Sequence, residues 1–345
     1  MNSSDPQPID AEQLLKDWDQ FDSLIDARSP AEWQADHLPG SINLPVLDNE
    51  ERIQVGTLYK ASSFEAKKLG AAMVAQNISQ HLRNELSDKP RHWRPLIYCW
   101  RGGNRSHSFA TVLQRIGFKT TLLTGGYTAF RRVLIADLER LAMQFNYRVV
   151  CGVTGSGKSQ YLRGLQKQGD QVLDLEALAH HRGSLLGNEP TGEQPSQKFF
   201  ETQVWHTLRQ FDPARPVYVE SESRKIGQVQ VPGALINRMR ASACIELQST
   251  IDDRIEFLCQ DYAHFFDQPT ALIDRLERLK PLVGSALLNQ WVTFIHEARW
   301  ADLVRSLLVE HYDPTYLRSM QRNYLHYHEA QPQPYCASDL AKRSG

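Results

Sequence analysis

The chain has 345 residues, of which 41% are hydrophobic and 23% are charged, and its formal net charge is −1. These values are typical of a globular protein with room for two domains. No apolar stretch reaches the length of a membrane span, and five widely spaced cysteines without a Cys-x-x-Cys pair suggest neither a disulfide framework nor a zinc site. We expect a cytoplasmic protein without membrane contact.

The first third of the chain alternates short apolar strands with helices. One helix is predicted to begin after Ser29, because Pro30 takes the first helical position and Glu32 can close a capping box. Another is expected from Ser106 to Gly117, where apolar residues recur at helical spacing. The alternation predicts a parallel sheet with helices on its faces. The expected strands are 23–25, 96–98 and 120–123, and a glycine turn at 125–127 leads into a further helix.

A second alternating pattern begins near residue 147. From about residue 252 the chain turns helical, with one long helix predicted from Ser285 to about His311 and a loose tail after Gln331. We therefore expect two α/β domains, residues 1–145 and 146–345. The strands of the second pattern are expected at 148–151, 172–175 and 217–220.

Charge is distributed unevenly along the chain. Residues 89–169 contain 14 Lys or Arg and 2 Asp or Glu, a balance of +12, so that the rest of the chain carries −13. Such a stretch favours anionic partners, including nucleic acid. A run of solvated arginines would give the same pattern.

Cys99 follows a buried strand and opens a glycine-containing loop. A thiolate is a nucleophile, and Gly102 and Gly103 allow the backbone angles that turn amides toward an anion. Arg105 adds a fork of donors suited to an oxyanion. Cys99 and Arg105 are the candidate catalytic residues. The alternative is a purely structural role, in which Cys99 is a buried cysteine beside an incidental turn. The remaining residues of the candidate oxyanion loop are Trp100, Arg101, Gly102, Gly103, Asn104 and Ser106.

Residues 152–159 match the pattern Gly-x-x-x-x-Gly-Lys-Ser between a strand and a helix. Backbone amides and the helix dipole hold phosphates in such a loop, and Lys158 meets the terminal phosphates. Ser159 and Glu220 are the candidate Mg²⁺ ligands. The pattern does not distinguish a nucleoside triphosphate from a diphosphate on another carrier. The candidate diphosphate-binding residues are Gly152, Thr154, Gly155, Ser156, Gly157, Lys158 and Ser159.

Two arginines outside these loops are candidate anion or RNA contacts. Arg182 follows a pair of histidines, and Arg224 follows the predicted strand 217–220. Plain salt bridges would account for both equally well. Aromatic and basic residues between Trp300 and Tyr327 have the types that stack on and pair with RNA, although helix packing also explains the aromatics.

Residues 10–140 resemble a rhodanese domain. The resemblance rests on Asp26-Ala27-Arg28, the segment 37–43, the Cys99 loop and Gly125-Gly126-Tyr127. In that family the cysteine carries a transferable sulfur as a persulfide, or a related chalcogen. The common sulfurtransferase loop has four residues between Cys and Arg, whereas five separate Cys99 from Arg105. Because Cys-x-x-x-x-x-Arg phosphatases share the longer spacing, we expect the loop to hold a tetrahedral anion.

The chain as a whole resembles the tRNA 2-selenouridine synthase family. The matching segments are 98–106, the phosphate loop, 173–176 with 181–184, and 219–224. The resemblance implies an α/β fold, in which a rhodanese-like parallel-sheet domain is followed by a P-loop NTPase-like domain with a helical C-terminal region.

The resemblance also implies a transferase. It would convert wobble 2-thiouridine of tRNA to 2-selenouridine with selenophosphate, through S-geranyl-2-thiouridine made from geranyl diphosphate. Both reagents would be co-substrates, Mg²⁺ is a candidate ion, and no tightly bound organic cofactor is expected. The expected partners are tRNA with 2-thiouridine at the wobble position and the enzyme that supplies selenophosphate. We hypothesise that the phosphate loop binds geranyl diphosphate and the Cys99 loop binds selenophosphate.

Three other functions remain open from the residues alone. The first is an ATP-dependent tRNA sulfurtransferase that uses a Cys99 persulfide. The second is a phosphatase joined to a small-molecule kinase, and the third is a nucleotide-sensing RNA-binding protein with a vestigial rhodanese fold. Turnover of ATP stimulated by tRNA would favour the sulfurtransferase. Hydrolysis of an aryl phosphate would favour the phosphatase, and full activity of Cys99→Ser would favour the RNA-binding protein.

Overall fold

The computed structural model of the protein describes residues 5–181, 193–266 and 268–335. The chain divides into two compact units, Met1–Leu138 with Pro195–His206, and Glu139–Gln194 with Thr207–Gly345. Each unit contains its own five-stranded parallel sheet, as the alternating pattern predicts. The domain boundary after residue 145 stays a prediction.

The sheet of the first unit has the strand order β1-β5-β4-β2-β3, and all of its pairings are parallel. Its strands are β1 (Gln7–Ile9), β2 (Ser23–Asp26), β3 (Ile42–Asn43), β4 (Pro95–Tyr98) and β5 (Thr121–Leu123). The accompanying helices are α1 (Ala11–Lys16), α2 (Pro30–Ala35), α3 (Asn49–Ala61), α4 (Ser63–Asn84), α5 (Asn104–Ile116) and α6 (Gly126–Gln144).

The core of this unit explains where the cysteine loop lies. Ile25 on β2 and Ile97 on β4 are fully buried, and they belong to one cluster with Phe109 and Leu113 on α5. The helix therefore packs on the sheet with its N-terminus next to the end of β4. Helix α5 begins at Asn104, two residues before the predicted start, so the loop between strand and helix spans only residues 99–103.

The sheet of the second unit has the order β12-β11-β6-β8-β7, again with parallel pairings, and β9 and β10 form a separate antiparallel pair. Its strands are β6 (Tyr147–Cys151), β7 (Gln171–Leu173), β8 (Val217–Glu220), β9 (Lys225–Ile226), β10 (Val229–Gln230), β11 (Ala243–Gln248) and β12 (Gln331–Pro334). The helices around it are α7 (Lys158–Lys167), α8 (Leu175–Ala179) and α10 (Gly233–Arg240). Helix α9 (Gln197–Arg209) belongs for most of its length to the first unit.

Beyond β11 the chain is helical, as expected. The helices are α11 (Ile251–Asp261), α12 (Pro269–Glu277), α13 (Lys280–His296), α14 (Trp300–Leu307) and α15 (Asp313–Asn323), with a π-helical turn at Leu308–Tyr312 between the last two. Leu276 and Trp291 are fully buried in a cluster shared by α12, α13 and α14. Among the described residues, no helix combines enough length with enough apolar character to cross a bilayer.

The prediction of one long helix from Ser285 to about His311 is wrong at its C-terminal end. Helix α13 stops at His296, because Ala298 adopts a left-handed conformation with φ of 54°. The amide of Ala298 donates to the Ile295 carbonyl, and the amide of Arg299 donates to the Phe294 carbonyl at 2.8 Å. These two hydrogen bonds form a Schellman cap, in which a glycine usually takes the left-handed position. Because an alanine takes that position here, the apolar periodicity of the sequence does not reveal the end of the helix.

The prediction of a loose tail after Gln331 is also wrong for its first residues. Residues 331–334 form β12, which pairs in parallel with β11 at the edge of the sheet. Pro332 and Pro334 argue against a central strand. At an edge, however, only alternate amides face the neighbouring strand, so proline is tolerated where the amide would point to solvent.

Candidate functional site

The Cys99 loop rests on the glycine turn that begins α6. The amide of Tyr127 donates to the Cys99 carbonyl at 2.8 Å, and the amide of Thr128 donates to the Trp100 carbonyl at 3.1 Å. Gly102 and Gly126 have φ of 67° and 58°, and a Cβ on Gly126 would overlap the Cys99 carbonyl. The two glycine segments therefore pack backbone against backbone, which holds the cysteine in place.

The Cys99 sulfur is itself largely buried, with 3% of the residue exposed. The Ser106 hydroxyl donates to Sγ at 3.0 Å, and the Gly103 carbonyl lies 3.9 Å from the same sulfur. Ser106 is fully buried in the first turn of α5. Its hydroxyl thus contacts the candidate nucleophile directly.

Arg105 is held by a carboxylate from another part of the chain. Its Nη1 donates to Glu32 Oε2 at 2.7 Å, and its Nη2 donates to Oε1 at 3.4 Å. Glu32 also closes the capping box of Ser29, as predicted, and lies 3.8 Å from the Arg52 guanidinium. Burial alone would raise the pKa of Glu32, but the hydrogen bond and charge of Arg105 outweigh it and lower that pKa.

From the sequence, Glu32 is predictable only as a helix cap, and its contact with Arg105 is not. The two residues are 73 positions apart, so no local pattern links them. The other predicted loop residues form the rim around Cys99. Trp100 and Gly102 are half-buried, and Arg101, Gly103 and Asn104 are exposed. Lys198 Nζ lies 5.9 Å from the centre of the Trp100 ring, which adds a cation to this rim.

The Asp26-Ala27-Arg28 segment supports the loop from below. Arg28 and Asp26 form a buried ion pair with an Nη2–Oδ2 distance of 2.6 Å. The Arg28 guanidinium lies 4.1 Å from the centre of the Tyr127 ring, and the Tyr127 hydroxyl donates to Asp36 Oδ2 at 2.6 Å. This network ties the end of β2 to the turn on which the Cys99 loop rests.

In the second unit, the phosphate loop connects β6 to α7 as predicted. Gly155 and Gly157 both have φ of 81°, and a Cβ on Gly152 would collide with the Ser156 hydroxyl. Lys158 Nζ donates to the Gly152 carbonyl at 2.9 Å. The lysine therefore lies across the loop that it is predicted to serve.

Arg254 anchors this loop, and the sequence analysis did not identify it. Its Nε donates to the Thr154 carbonyl at 2.8 Å, while its two Nη atoms donate to Asp313 at 2.9 and 2.6 Å. Arg254 is only 5% exposed. One side chain thus joins the phosphate loop, helix α11 and the start of helix α15. Nothing in the sequence around Arg254 on α11 predicts these contacts.

Three carboxylates gather beside the phosphate loop. Glu220 ends β8, Glu222 follows it, and Glu176 lies on α8 after β7; one oxygen of each lies within 4.8 Å of the others. The Ser159 hydroxyl donates to Glu176 Oε2 at 3.5 Å. The carboxyl ends of parallel strands meet at one edge of a sheet, which explains why these residues converge. Of the three, the sequence analysis proposed only Glu220 as a ligand.

The crowding of these acids shifts their protonation. Burial, followed by the charges of Glu220 and Glu222, raises the pKa of Glu176 to about 11. Burial and the charge of Glu220 raise the pKa of Glu222 to about 7. Burial also raises the pKa of Glu220, against the opposing charge of Lys158. These acids favour a shared proton or a bound cation over three free negative charges.

A cavity of about 760 Å³ opens from the phosphate loop. Its polar end contains Lys158, Ser159 and the three carboxylates, and its opposite wall comes from the helical region. That wall combines aromatic and aliphatic side chains with four polar ones, Asp261, His311, Thr315 and Ser319. Its aromatic and aliphatic members are Phe257, Leu258, Tyr262, Tyr312, Tyr316, Met320 and Tyr324.

Two tyrosines of this wall are tied to the loops around the cavity. The Tyr316 hydroxyl accepts from the Gly152 amide at 2.8 Å and lies 2.9 Å from the Ser221 hydroxyl. The Tyr324 hydroxyl donates to the Glu222 carbonyl at 2.8 Å and accepts from the Glu222 amide at 2.9 Å. Tyr324 is therefore a packed, hydrogen-bonded residue in this structure, in line with the helix-packing interpretation.

The two remaining candidate contacts have different outcomes. Arg182 lies outside the described residues. Arg224 is exposed after β8, and its carbonyl accepts from the Val231 amide at 2.9 Å. A role of either arginine in binding an anion or RNA stays a prediction.

Comparison with known proteins divides the chain in a similar way. Residues 8–132 match the family model of the rhodanese-like domain, and residues 145–272 match that of the tRNA 2-selenouridine synthase AAA domain. A tRNA 2-selenouridine synthase of Nitrosomonas europaea is 36% identical over 269 residues, which cover 76% of this chain and 69% of that protein. One from Alcanivorax borkumensis is 31% identical over 326 residues, which cover 85% and 88%.

Proposed function

Since the chain belongs to the tRNA 2-selenouridine synthase family, we propose that it replaces the sulfur of 2-thiouridine at the tRNA wobble position with selenium. The proposed route has two steps. Geranyl diphosphate first alkylates the sulfur, and selenophosphate then delivers selenium to the same carbon. The observation that carries this route is the cavity that joins a phosphate loop to a wall rich in aromatic side chains.

The geometry of the second unit supports a prenyl diphosphate as the reagent of the first step. A diphosphate needs the amides and the lysine of the loop at residues 152–159, and a geranyl chain needs an apolar surface within reach. Both lie in one cavity of about 760 Å³. Backbone amides and Lys158 would stabilise the diphosphate as negative charge develops on it when the carbon–oxygen bond breaks.

The residues present also fit a divalent cation. Glu220 Oε1 is buried without a hydrogen-bond partner among the described residues, and Ser159 lies beside the carboxylates. Ser159 and Glu220 would hold Mg²⁺, whose role when bound is to neutralise charge on the departing diphosphate. The residues themselves bind and orient the diphosphate end of the reagent.

The first unit is proposed to carry out the selenium step. The loop amides would face the phosphate group of selenophosphate, and Arg105 would contribute positive charge from the first turn of α5. Ser106 holds the Cys99 sulfur at 3.0 Å, where it fixes the direction of the side chain. Alkylation turns the sulfur on the base into a thiol leaving group, so that the selenium of selenophosphate bonds to the ring carbon as the carbon–sulfur bond breaks and geranyl thiol departs. Water then cleaves the selenium–phosphorus bond, which releases phosphate and leaves 2-selenouridine.

The division of labour is tested with two variants and one readout, the mass spectrum of the tRNA. Lys158→Ala should abolish formation of the S-geranyl nucleoside. Cys99→Ala should leave that nucleoside in place and abolish its conversion to 2-selenouridine. Equal loss of both products in both variants, with both proteins folded, would contradict the assignment. Hydrolysis of ATP stimulated by tRNA would support a sulfurtransferase instead.

A further inference from the structure

The carboxylate cluster beside the phosphate loop has more acidic ligands than the proposed diphosphate site requires. Mg²⁺ in phosphate sites is commonly held by one or two carboxylates, with substrate phosphates and water completing its shell. Here Glu176, Glu220 and Glu222 all place an oxygen within 4.8 Å of the others. We infer that these three residues, with Ser159, bind a divalent cation such as Mg²⁺ or Mn²⁺ before any diphosphate arrives.

The buried oxygen of Glu220 points to a ligand independently of the clustering. Glu220 is 1% exposed, and its Oε1 has no hydrogen-bond partner among the described residues. A buried carboxylate oxygen without a partner is costly, because it has lost water and gained nothing in return. A cation at the cluster would satisfy this oxygen.

Lys158 does not satisfy this oxygen in the structure. Lys158 exerts its positive charge on all three carboxyl groups. Its Nζ nevertheless donates to the Gly152 carbonyl at 2.9 Å, on the phosphate loop. The lysine is thus positioned for phosphates, and the carboxylates retain the capacity for a cation of their own.

The ligand set also indicates the class of cation. All candidate ligand atoms are oxygens, three from carboxylates and one from the Ser159 hydroxyl, and Ser159 already contacts Glu176 at 3.5 Å. Oxygen ligands suit Mg²⁺, Mn²⁺ and Ca²⁺, whereas zinc sites in proteins favour sulfur and nitrogen. The three acids lie at or just after the ends of two neighbouring strands, β7 and β8, so the sheet brings their oxygens together without a substrate.

This inference deepens the proposed function and rests on it for the ligand of the phosphate loop. The consequence is an order of binding. The diphosphate would meet a cation that is already in place, and the cation would raise the affinity of the loop for the diphosphate.

The test uses the full chain without substrate. MnCl₂ is titrated into the protein and free Mn²⁺ is followed by electron paramagnetic resonance, while MgCl₂ binding is followed by calorimetry. We expect one cation per chain in the absence of any phosphate compound. Glu176→Gln and Glu222→Gln should each weaken binding by at least about tenfold, because each removes a charged ligand. Glu256→Gln, an exposed acid on α11, is the matched control and should bind like the unmodified chain.

The other outcomes of this experiment distinguish a failure of the inference from a failure of the proposed function. Binding of Mn²⁺ only after inorganic pyrophosphate is added would overturn the inference and leave the proposed function standing. Equal affinity in the Gln variants and the unmodified chain would also overturn it. Cation binding without any later binding of geranyl diphosphate would support the inference and contradict the proposed function. Circular dichroism melting confirms that each variant is folded.

Discussion

The Cys99 loop and the phosphate loop occupy the same position in two parallel sheets, yet their surroundings differ. Both follow a buried strand and precede a helix, and both depend on glycines with positive φ. The Cys99 loop is short, and its arginine is paired with Glu32. The phosphate loop opens into a large cavity with three carboxylates at its edge.

This difference shows that the same local motif can be placed in very different surroundings. Around Cys99 the contacts fix a sulfur and an arginine. Around Lys158 they leave an open cavity, and the proposed division between a small and a large reagent rests on this contrast. We therefore expect the largest effect from a substitution of Arg254, the side chain that holds the phosphate loop.

Arg254→Ala should destabilise the second unit strongly. It removes a buried guanidinium and leaves the Thr154 carbonyl and Asp313, which is 21% exposed, without their donor. The cost should lie at the lower end of the range of about 3–5 kcal/mol that breaking a buried ion pair typically has. Denaturant unfolding measures the loss. The matched control is Arg305→Ala, whose pair with Asp252 is exposed and should contribute at most about 1 kcal/mol. Equal effects of the two substitutions would contradict the anchoring role of Arg254.

Gly126→Ala should damage the Cys99 loop and leave the phosphate loop intact. The new Cβ would overlap the Cys99 carbonyl at a residue with φ of 58°, and strain with crowding should cost about 2–4 kcal/mol. Selenation of geranylated tRNA should fall while geranylation persists. Gly233→Ala is the control, since it is also the first residue of a helix but has open space around it. Loss of both steps in Gly126→Ala while the protein remains folded would argue against separate sites.

Ser106→Ala should have a smaller and more local effect. It removes the hydroxyl that donates to Cys99 Sγ at 3.0 Å, and a hydrogen bond of this kind contributes about 1 kcal/mol. We expect slower selenation, measured by mass spectrometry over time, with geranylation unchanged. Ser108→Ala is the control, because Ser108 lies on the same helix α5 two positions after Ser106. If both serines can be replaced without effect, the hydroxyl does not orient the sulfur.

The smallest expected effect concerns Glu32 and depends on pH. Its pKa is lowered in the folded chain, so its pair with Arg105 stabilises the fold above the ordinary pKa of 4.5 and this contribution is lost as the pH falls through the lowered value. Glu32→Gln should therefore destabilise the protein by about 1 kcal/mol at neutral pH and by less in acid. Unfolding at several pH values checks this. Glu65→Gln, at an exposed acid, is the control. If Glu32→Gln lowers the free energy of unfolding by the same amount at every pH, the ion pair does not contribute as proposed.

Much of the molecule could be predicted from local patterns. The capping box of Ser29, the strand 217–220 and the phosphate loop were all recognisable, because each depends on residues close together in the chain. The break after His296 could not be predicted, since a left-handed alanine carries no signal. The strand at residues 331–334 was missed because its prolines are tolerated only at an edge, and strand order is not written in a local pattern.

The sequence by itself determined the two glycine loops and their strand-to-helix context, and it made Cys99 and Lys158 the candidate residues for the chemistry. Tertiary structure alone decided what those residues face. Glu32 meets Arg105 and Arg254 meets Thr154 across 73 and 100 positions, and Glu176 joins Glu220 because β7 and β8 are neighbours. The physical reason is that periodicity and turn chemistry act over a few residues, whereas charge pairing and cavity shape depend on which distant segments the sheets bring together.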